Sequence, residues 1–375
     1  VYIVNRRINI YYFLIGIALM AFSIGIYQAF IPVMMSLALL CFVAKLVAET
    51  SDNPKKLILS GAYLTGAVIS SVLLYFLINK CLLAYKGLNL SNYKNINTMG
   101  KESFSMYLSR IPRAVGYFFA PENIGNFTSM FPFRIRNFYV IILLFISVLS
   151  LHVIIKTFRR NIFRGSLLIL AVLMLPITCN FIFIMCEFEH VSTIMLYGQS
   201  MLFVYLVFLI NISEFSKLNI TRAVYGFGTA LLLFISFSYC RYANICYLEV
   251  EYQQQRMINY FTVLIAQIKS AKGYQDEIPV CYINSRSKKD LTFKELSGFD
   301  LFYVSPNYSI KNEGINNYAW IEFMNNWCGF SPETVDEEEF INLPEVIDMP
   351  YYPDDGSIKI INDTVVVKFG PVEEE

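Results

Sequence analysis

Two carboxylates and an imidazole, Glu187, Glu189 and His190, stand together where a long apolar run ends. Such groups at a membrane-water boundary suit removal of a proton from a hydroxyl acceptor. Arg110, Arg113, Arg134 and Arg136 flank a stretch rich in aromatic residues. Guanidinium groups in that setting suit forked hydrogen bonds to a lipid phosphate. Tyr27 and Gln28 mark the tip of an apolar hairpin, and Gln199 falls about two turns inside another apolar run. As a set these groups fit transfer from a lipid-phosphate donor to an acceptor, with Tyr27, Gln28, His190 and Gln199 touching substrate. Each also has a plain structural reading. Glu187, Glu189 and His190 also read as a wet turn. Arg110 and Arg113 also read as headgroup anchors on a basic amphipathic helix. Gln28 suits a helix-helix hydrogen bond. His152, inside an apolar run, faces the bundle and bonds a neighbour, although an ionisable group at that depth raises a functional question.

The elements that position these groups follow from composition. Hydrophobic residues make up 56% of the chain and charged residues 16%, against about a quarter charged in a soluble domain. The apolar residues fall in separate blocks, each near the ~20 residues that cross a bilayer. Spans are expected at 8–28, 30–48, 57–79, 137–156, 166–186, 194–213 and 221–240, about seven in all. Residues 1–240 therefore read as an α-helical polytopic membrane bundle with an outer interfacial loop at 80–136, and residues 241–375 as an extracytoplasmic α/β domain. Arg6-Arg7, Lys55-Lys56, Lys156 to Arg164 and Lys217-Arg222 alternate correctly if all four connections are cytoplasmic. The loop at 80–136, the turn at 187–193 and everything after Arg241 then lie outside. Within the loop, Phe104, Tyr107, Leu108 and Ile111 recur at helical spacing, which predicts an amphipathic helix in the membrane interface.

Beyond Arg241 the last span continues as a helix to about Lys272, with Gly273 as its stop. Residues 279–283 read as a buried strand, 301–304 as another, and 316–327 as a helix with Trp320 and Trp327 in the core. Residues 332–340 read as a short acidic helix capped by Ser331. A hairpin of 357–361 and 364–368 turns at Asn362-Asp363.

No phosphate-binding glycine loop, zinc signature or nucleophile elbow occurs, which removes a pump driven directly by ATP on this chain. The net charge of +1 argues against nucleic acid as a partner. The eight cysteines form no CxxC pair, and neither a metal nor a cofactor is expected. Cys281 and Cys328 are the candidates for a disulfide if their domain is oxidised. Three function classes stand open on residues alone: glycosyl transfer, transport or flipping of a lipid-linked glycan, and a membrane-anchored binding or sensor protein.

The run Met349-Pro350-Tyr351-Tyr352-Pro353-Asp354-Asp355-Gly356-Ser357-Ile358-Lys359-Ile360, followed by Val365-Val366-Val367-Lys368, resembles the ending of the type II serotype-converting glucosyltransferase family. The Ile26-Tyr27-Gln28-Ala29-Phe30 tip is similar to that family as well, as is the order of spans, interfacial loop and small terminal domain. The resemblance implies a membrane glycosyltransferase of the GT-C type in a bacterial cytoplasmic membrane. It implies a polyprenyl-phosphate-sugar donor, glucose as the sugar, and a surface glycan such as O-antigen as acceptor. Enzymes of this type carry their acidic catalytic residue in the first outer loop. The chain opens at Val1, with Arg6-Arg7 leading straight into an apolar run, and the expectation is that this carboxylate lies upstream. Glu187 and Glu189 are the candidates within the chain.

Overall fold

The structure, a computed structural model, describes residues 10–48, 53–89, 102–121, 131, 133–186, 191, 193–213, 215, 218–284 and 317–370, with backbone alone at 133, 134, 193, 246, 249, 250, 253, 256 and 317–320. Its contacts divide the chain into two units, Val1–Arg241 and Tyr242–Glu375.

The first unit is helical. In chain order it holds α1 Ile10–Ile26, α2 Phe30–Ala48, α3 Pro54–Lys86, α4 Phe104–Ser109, α5 Ile111–Phe119, α6 Phe133–Arg160, α7 Ile162–Cys179 and α8 Ile182–Met185. A 3-10 segment, Thr193–Ser200, then leads into α9 Met201–Ile212 and α10 Leu218–Ser270, whose residues after Arg241 belong to the second unit. Six helices among the described residues are long and apolar enough to cross a membrane, and α1 is a shorter apolar helix of 17 residues. The protein is therefore a membrane protein. The expected seven spans become six and a shorter partner.

Local chemistry sets the ends. Asn53 caps α3 by accepting from the Lys55 backbone N–H, and Pro54 occupies its first turn, where a missing N–H costs nothing. Gly87, at φ 64°, ends α3 in the left-handed conformation that glycine adopts without strain. The helix thus runs to Lys86 and takes in the first residues of the expected outer loop. Asn161 caps α7 through the Arg164 N–H. Between them, α2 lies against α7, α1 against α3, and α6 against α7. Leu40, Leu46, Leu57, Tyr139, Ile142 and Leu206 belong to their common core. Arg164 is buried and donates from Nε and Nη2 to the Leu46 carbonyl at 3.2 and 2.6 Å. His152 stacks on Phe215 with ring centres 4.0 Å apart.

The second unit contains β1 Val280–Ile283, α11 Asn317–Cys328, β2 Thr334–Val335, a 3-10 turn at Glu337–Glu339, α12 Pro344–Ile347, β3 Ile358–Ile361 and β4 Thr364–Lys368. The strand order is β2-β1-β4-β3. β1 runs parallel to both β2 and β4, and β3 runs antiparallel to β4, pairing Ile358 with Val367 and Ile361 with Thr364. Side chains alternate across a sheet, and both faces here are apolar. Val280, Tyr282, Val365 and Val367 pack with Phe261, Leu264 and Ile268 of α10 and Met324 of α11. Cys281, Ile283 and Val366 pack with Phe340, Val346 and Met349 on the other face.

Three expectations need correction here. Cys281 and Cys328 are free thiols belonging to the two different clusters, so they are not a disulfide pair. The acidic stretch 332–340 is not a helix. Thr334-Val335 pairs with β1 instead, and only Glu337–Glu339 turn, behind an Asp336 cap. Trp327 is 59% exposed rather than core. The expected strand at 301–304 lies outside the described residues.

The Met349 to Lys368 motif builds a clasp. Asp354 N–H donates to the Tyr351 carbonyl and Ser357 N–H to that of Asp354, with Gly356 at φ 88° closing the turn. Lys368 is buried at the end of β4, and its Nζ donates to the carbonyls of Val346, Ile347 and Met349 at 2.8, 2.6 and 3.0 Å. The ammonium group thus occupies the place of the donors that the end of α12 lacks. Burial lowers its pKa from the ordinary lysine value, while Asp348 acts against the shift.

Candidate functional site

The expected amphipathic helix at 104–113 is in fact two helices broken at Arg110. Pro112 causes the break. It has no N–H to give to the Leu108 carbonyl, so the chain ends α4 at Ser109 and starts α5 with Pro112 in its first turn. The break swings Arg110 back toward Glu102, one residue ahead of the Ser103 cap of α4. Arg110 Nη2 donates to Glu102 Oε1 at 2.9 Å, and Nη1 lies 2.6 Å from Oε2 as an ion-pair contact without hydrogen-bond geometry; the side chains are 14% and 19% exposed. Arg110 Nη1 also donates to the Ile184 carbonyl of α8 at 3.4 Å, and its guanidinium lies 5.9 Å from the centre of the Tyr107 ring. Cys186 stands within electrostatic reach of both charges. Arg113, by contrast, is exposed on α5. Arg134 lies in the first turn of α6, and its side chain is outside the described residues.

A second group of polar side chains gathers at the break between α7 and α8. Pro176 lies inside α7, which stops at Cys179, and Asn180 turns the chain. The Asn180 Nδ2 donates to the Ala114 carbonyl of α5 at 3.0 Å, while its Oδ1 is buried without a hydrogen bond. Gln199 is 0% exposed, and neither atom of its amide makes a well-formed hydrogen bond. The amide approaches the Tyr139 hydroxyl. That hydroxyl already donates to the Phe118 carbonyl at 2.6 Å. Gly198 brings the 3-10 segment against α7 and α2: a Cβ there would overlap the Cys179 carbonyl oxygen and the Pro32 ring. Ser36 of α2 donates to Cys179 Sγ at 3.6 Å.

The hairpin tip meets the same 3-10 segment. Tyr27, Phe30 and Tyr197 form three edge-on or tilted ring contacts with centres 5.9 to 6.4 Å apart. Gln28 Nε2 donates to the Tyr75 hydroxyl of α3 at 2.7 Å, so its amide pins the hairpin to α3. The structure therefore brings Tyr27 and Gln199 together through one segment and separates the environments of Arg110 and Arg113. Glu187, Glu189 and His190 lie outside the described residues. Sequence reasoning passed over Glu102. The signal was present: Glu102 is the sole acidic residue between Asp52 and Glu122, in a stretch holding Lys55, Lys80, Lys86, Lys94, Lys101, Arg110 and Arg113.

An apolar helical bundle carrying a half-buried arginine-carboxylate pair and a buried amide group defines a polytopic membrane protein with a polar site at its helix breaks. The family model described as glucosyl transferase GtrII matches residues 1–210, more than half of the 375-residue chain. The chain belongs to that family. The resemblance seen in the sequence is thereby confirmed, through the membrane helices; the Met349 to Lys368 motif lies outside the matched residues. Membership makes the protein a membrane glycosyltransferase, which acts between a sugar donor and a glycan acceptor. No curated protein and no solved structure matches the chain.

Proposed function

We propose that the protein transfers glucose from a polyprenyl-phosphate-glucose donor to a surface glycan such as O-antigen, on the outer side of the bacterial cytoplasmic membrane, as a GT-C-type enzyme. The observation that carries this reading is Arg110. It is half-buried at a helix break, held from two sides, and its fork matches the oxygens of a phosphodiester. Arg113 and Arg134 would add charge around the same headgroup. A carboxylate removes the proton from the acceptor hydroxyl, and Glu187 and Glu189 are the candidates the sequence offers. Gln199, Tyr27, Gln28 and His190 would line the sugar side. The leaving polyprenyl phosphate is already ionised, so its departure needs no added proton.

The excess of lysine and arginine in the short connections supports this orientation, with α4 and α5 in the outer interface and residues 241–375 as an extracytoplasmic domain. Exposed Phe104, Leu108 and Phe119 suit burial among acyl chains there. The test is an assay of glucose transfer by the purified protein in proteoliposomes. The Arg110→Ala, Arg113→Ala double variant, folded as judged by thermal unfolding, is expected to lose transfer by at least a hundredfold. Unchanged transfer would sink the donor-phosphate role. One observation favours a second reading: α7 breaks at Asn180 opposite a 3-10 segment, and broken helices with polar groups also build transporter sites. Translocation of a lipid-linked glycan without transfer, in the same proteoliposomes, would select it.

A further inference from the structure

Two side chains tie α5 to the corner that follows α7, and they do so one helical turn apart. Arg110, at the start of α5, donates to the Ile184 carbonyl of α8, and Asn180, just ahead of α8, donates to the Ala114 carbonyl of α5. Each of these carbonyls lies four residues beyond the other donor, within helical turns closed by Ala114 N–H on Arg110 and Phe183 N–H on Asn180. The guanidinium and the amide therefore stand about 5.4 Å apart along one contact, the pitch of a turn. A hexose joined to a phosphate covers such a span. The end away from Arg110 is polar and unsatisfied. Asn180 Oδ1 and both polar atoms of the Gln199 amide make no hydrogen bond among the described residues, and both residues are 0% exposed. Gly198 seats the neighbouring backbone of Gln199 against the peptide group that joins Cys179 to Asn180. Buried amides ordinarily find partners, so two unmatched in one place leave room for a ligand's hydrogen bonds. The pair offers carbonyl oxygens and an NH2 group without formal charge, which suits hydroxyl groups rather than a second anion.

We propose that Asn180 and Gln199 form the subsite that recognises the hydroxyl groups of the donor hexose, one helical turn from the arginine that takes its phosphate. The assignment rests on the glucosyl-transfer reading above and adds Asn180 to it as a residue that sets sugar specificity. In the structure α5 closes over this group, because Asn180 and Tyr139 both donate to its carbonyls, at Ala114 and Phe118. Arg110 caps the same helix and clips it to α8. A phosphate that engages the guanidinium competes with the Ile184 carbonyl for it, which releases that clip and lets the sugar enter as α5 lifts from α8. Hydroxyl groups then meet the Asn180 oxygen and the Gln199 amide. A sugar without the matching hydroxyl leaves those atoms buried and unpaired, and is rejected for that reason. Phosphate and sugar are thus read by one contact between two short helices, with charge at one end and neutral amides at the other.

The experiment compares wild type, Asn180→Leu and Gln199→Met as full chains in proteoliposomes, with polyprenyl-phosphate-glucose and its monodeoxy analogues as donors and one acceptor glycan. A site built to hydrogen-bond a hydroxyl rejects the analogue lacking it by up to roughly 10⁴–10⁵. Wild type is therefore expected to prefer glucose over at least one analogue by about a hundredfold or more in kcat/KM. Both variants are expected to lose most of that preference and to use the two donors within about tenfold of each other, at unchanged acceptor KM. If Asn180→Leu fails to fold for want of its bond to Ala114, Gln199→Met decides, since it gives up no well-formed hydrogen bond. Glucose transfer that keeps the wild-type preference in Gln199→Met overturns the subsite alone. A change confined to acceptor KM does the same, because it places the amides on the acceptor's sugar, and so does a wild type indifferent to every analogue. A wild type that transfers no glucose overturns the glucosyl-transfer reading and the subsite with it.

Discussion

A buried amide with unspent hydrogen bonds costs roughly 1–3 kcal/mol, and Gln199 is such a group. Gln199→Met fills a similar volume without the polar atoms, so it should hold or raise the thermal unfolding temperature while lowering glucose transfer at least tenfold. A fall in stability with transfer intact would show that the amide is bonded internally and serves the fold. Cys281 makes the opposite case of a buried thiol with no unmet demand. Burial, and then the charges of Glu337, Asp336 and Glu339, push it up from 9.0 to about 12. The native state therefore holds its proton between pH 9 and 12 while the unfolded state releases it, so this contribution to stability falls as pH rises through that window. At pH 10 the loss is on the order of 1 kcal/mol. Cys281→Ala should remove that part of the alkaline slope, read as unfolding temperature against pH for both proteins.

At the scale of elements, the 3-10 segment Thr193–Ser200 is placed by one residue without a side chain. Gly198→Ala would drive a methyl group into the Cys179 carbonyl and Pro32. The backbone on that side cannot yield as a flexible side chain would, so a loss of about 1–3 kcal/mol in unfolding stability is expected. Gly66→Ala on α3, which meets no atom within 4 Å, should be nearly silent and serves as the comparison. Elements were legible in the sequence where a single periodicity decided them. Val280–Ile283 and the pair Ile358–Ile361 and Thr364–Lys368 announce themselves by β-branched runs around Asn362-Asp363, whose positive φ values of 49° and 54° fit a tight hairpin. The breaks were not legible. Hydropathy is the same on both sides of Asn180, so α7 and α8 read as one span, although Pro176 was the available warning. Thr334-Val335 looked like part of a helix because its pairing with β1 is a tertiary contact that no local pattern carries.

For the whole molecule, the membrane class and most of the spans followed from apolar length alone, because the bilayer imposes it. Much less of the candidate site was legible. Arg110 was visible as a charge in an interfacial loop, but its partner was not. An ion pair between residues eight apart depends on a helix break, and the break depends on Pro112. Glu187, Glu189 and His190 drew attention because they are adjacent in sequence, whereas Glu102 is isolated there and becomes informative only once the chain has turned.

The 33 residues of α3 have one further consequence. At 1.5 Å per residue the helix is about 50 Å long, against a hydrocarbon layer of about 30 Å. Its surplus is at the end that carries Lys80 and Lys86. Tilting alone would draw those ammonium groups toward the acyl chains, so the helix must either project beyond the lipid or thicken it locally. Because Gln28 pins the first hairpin to α3 through Tyr75, a change in lipid chain length reaches that hairpin through α3. The composition of the surrounding membrane thus becomes a mechanical input to the enzyme, with α3 as the gauge.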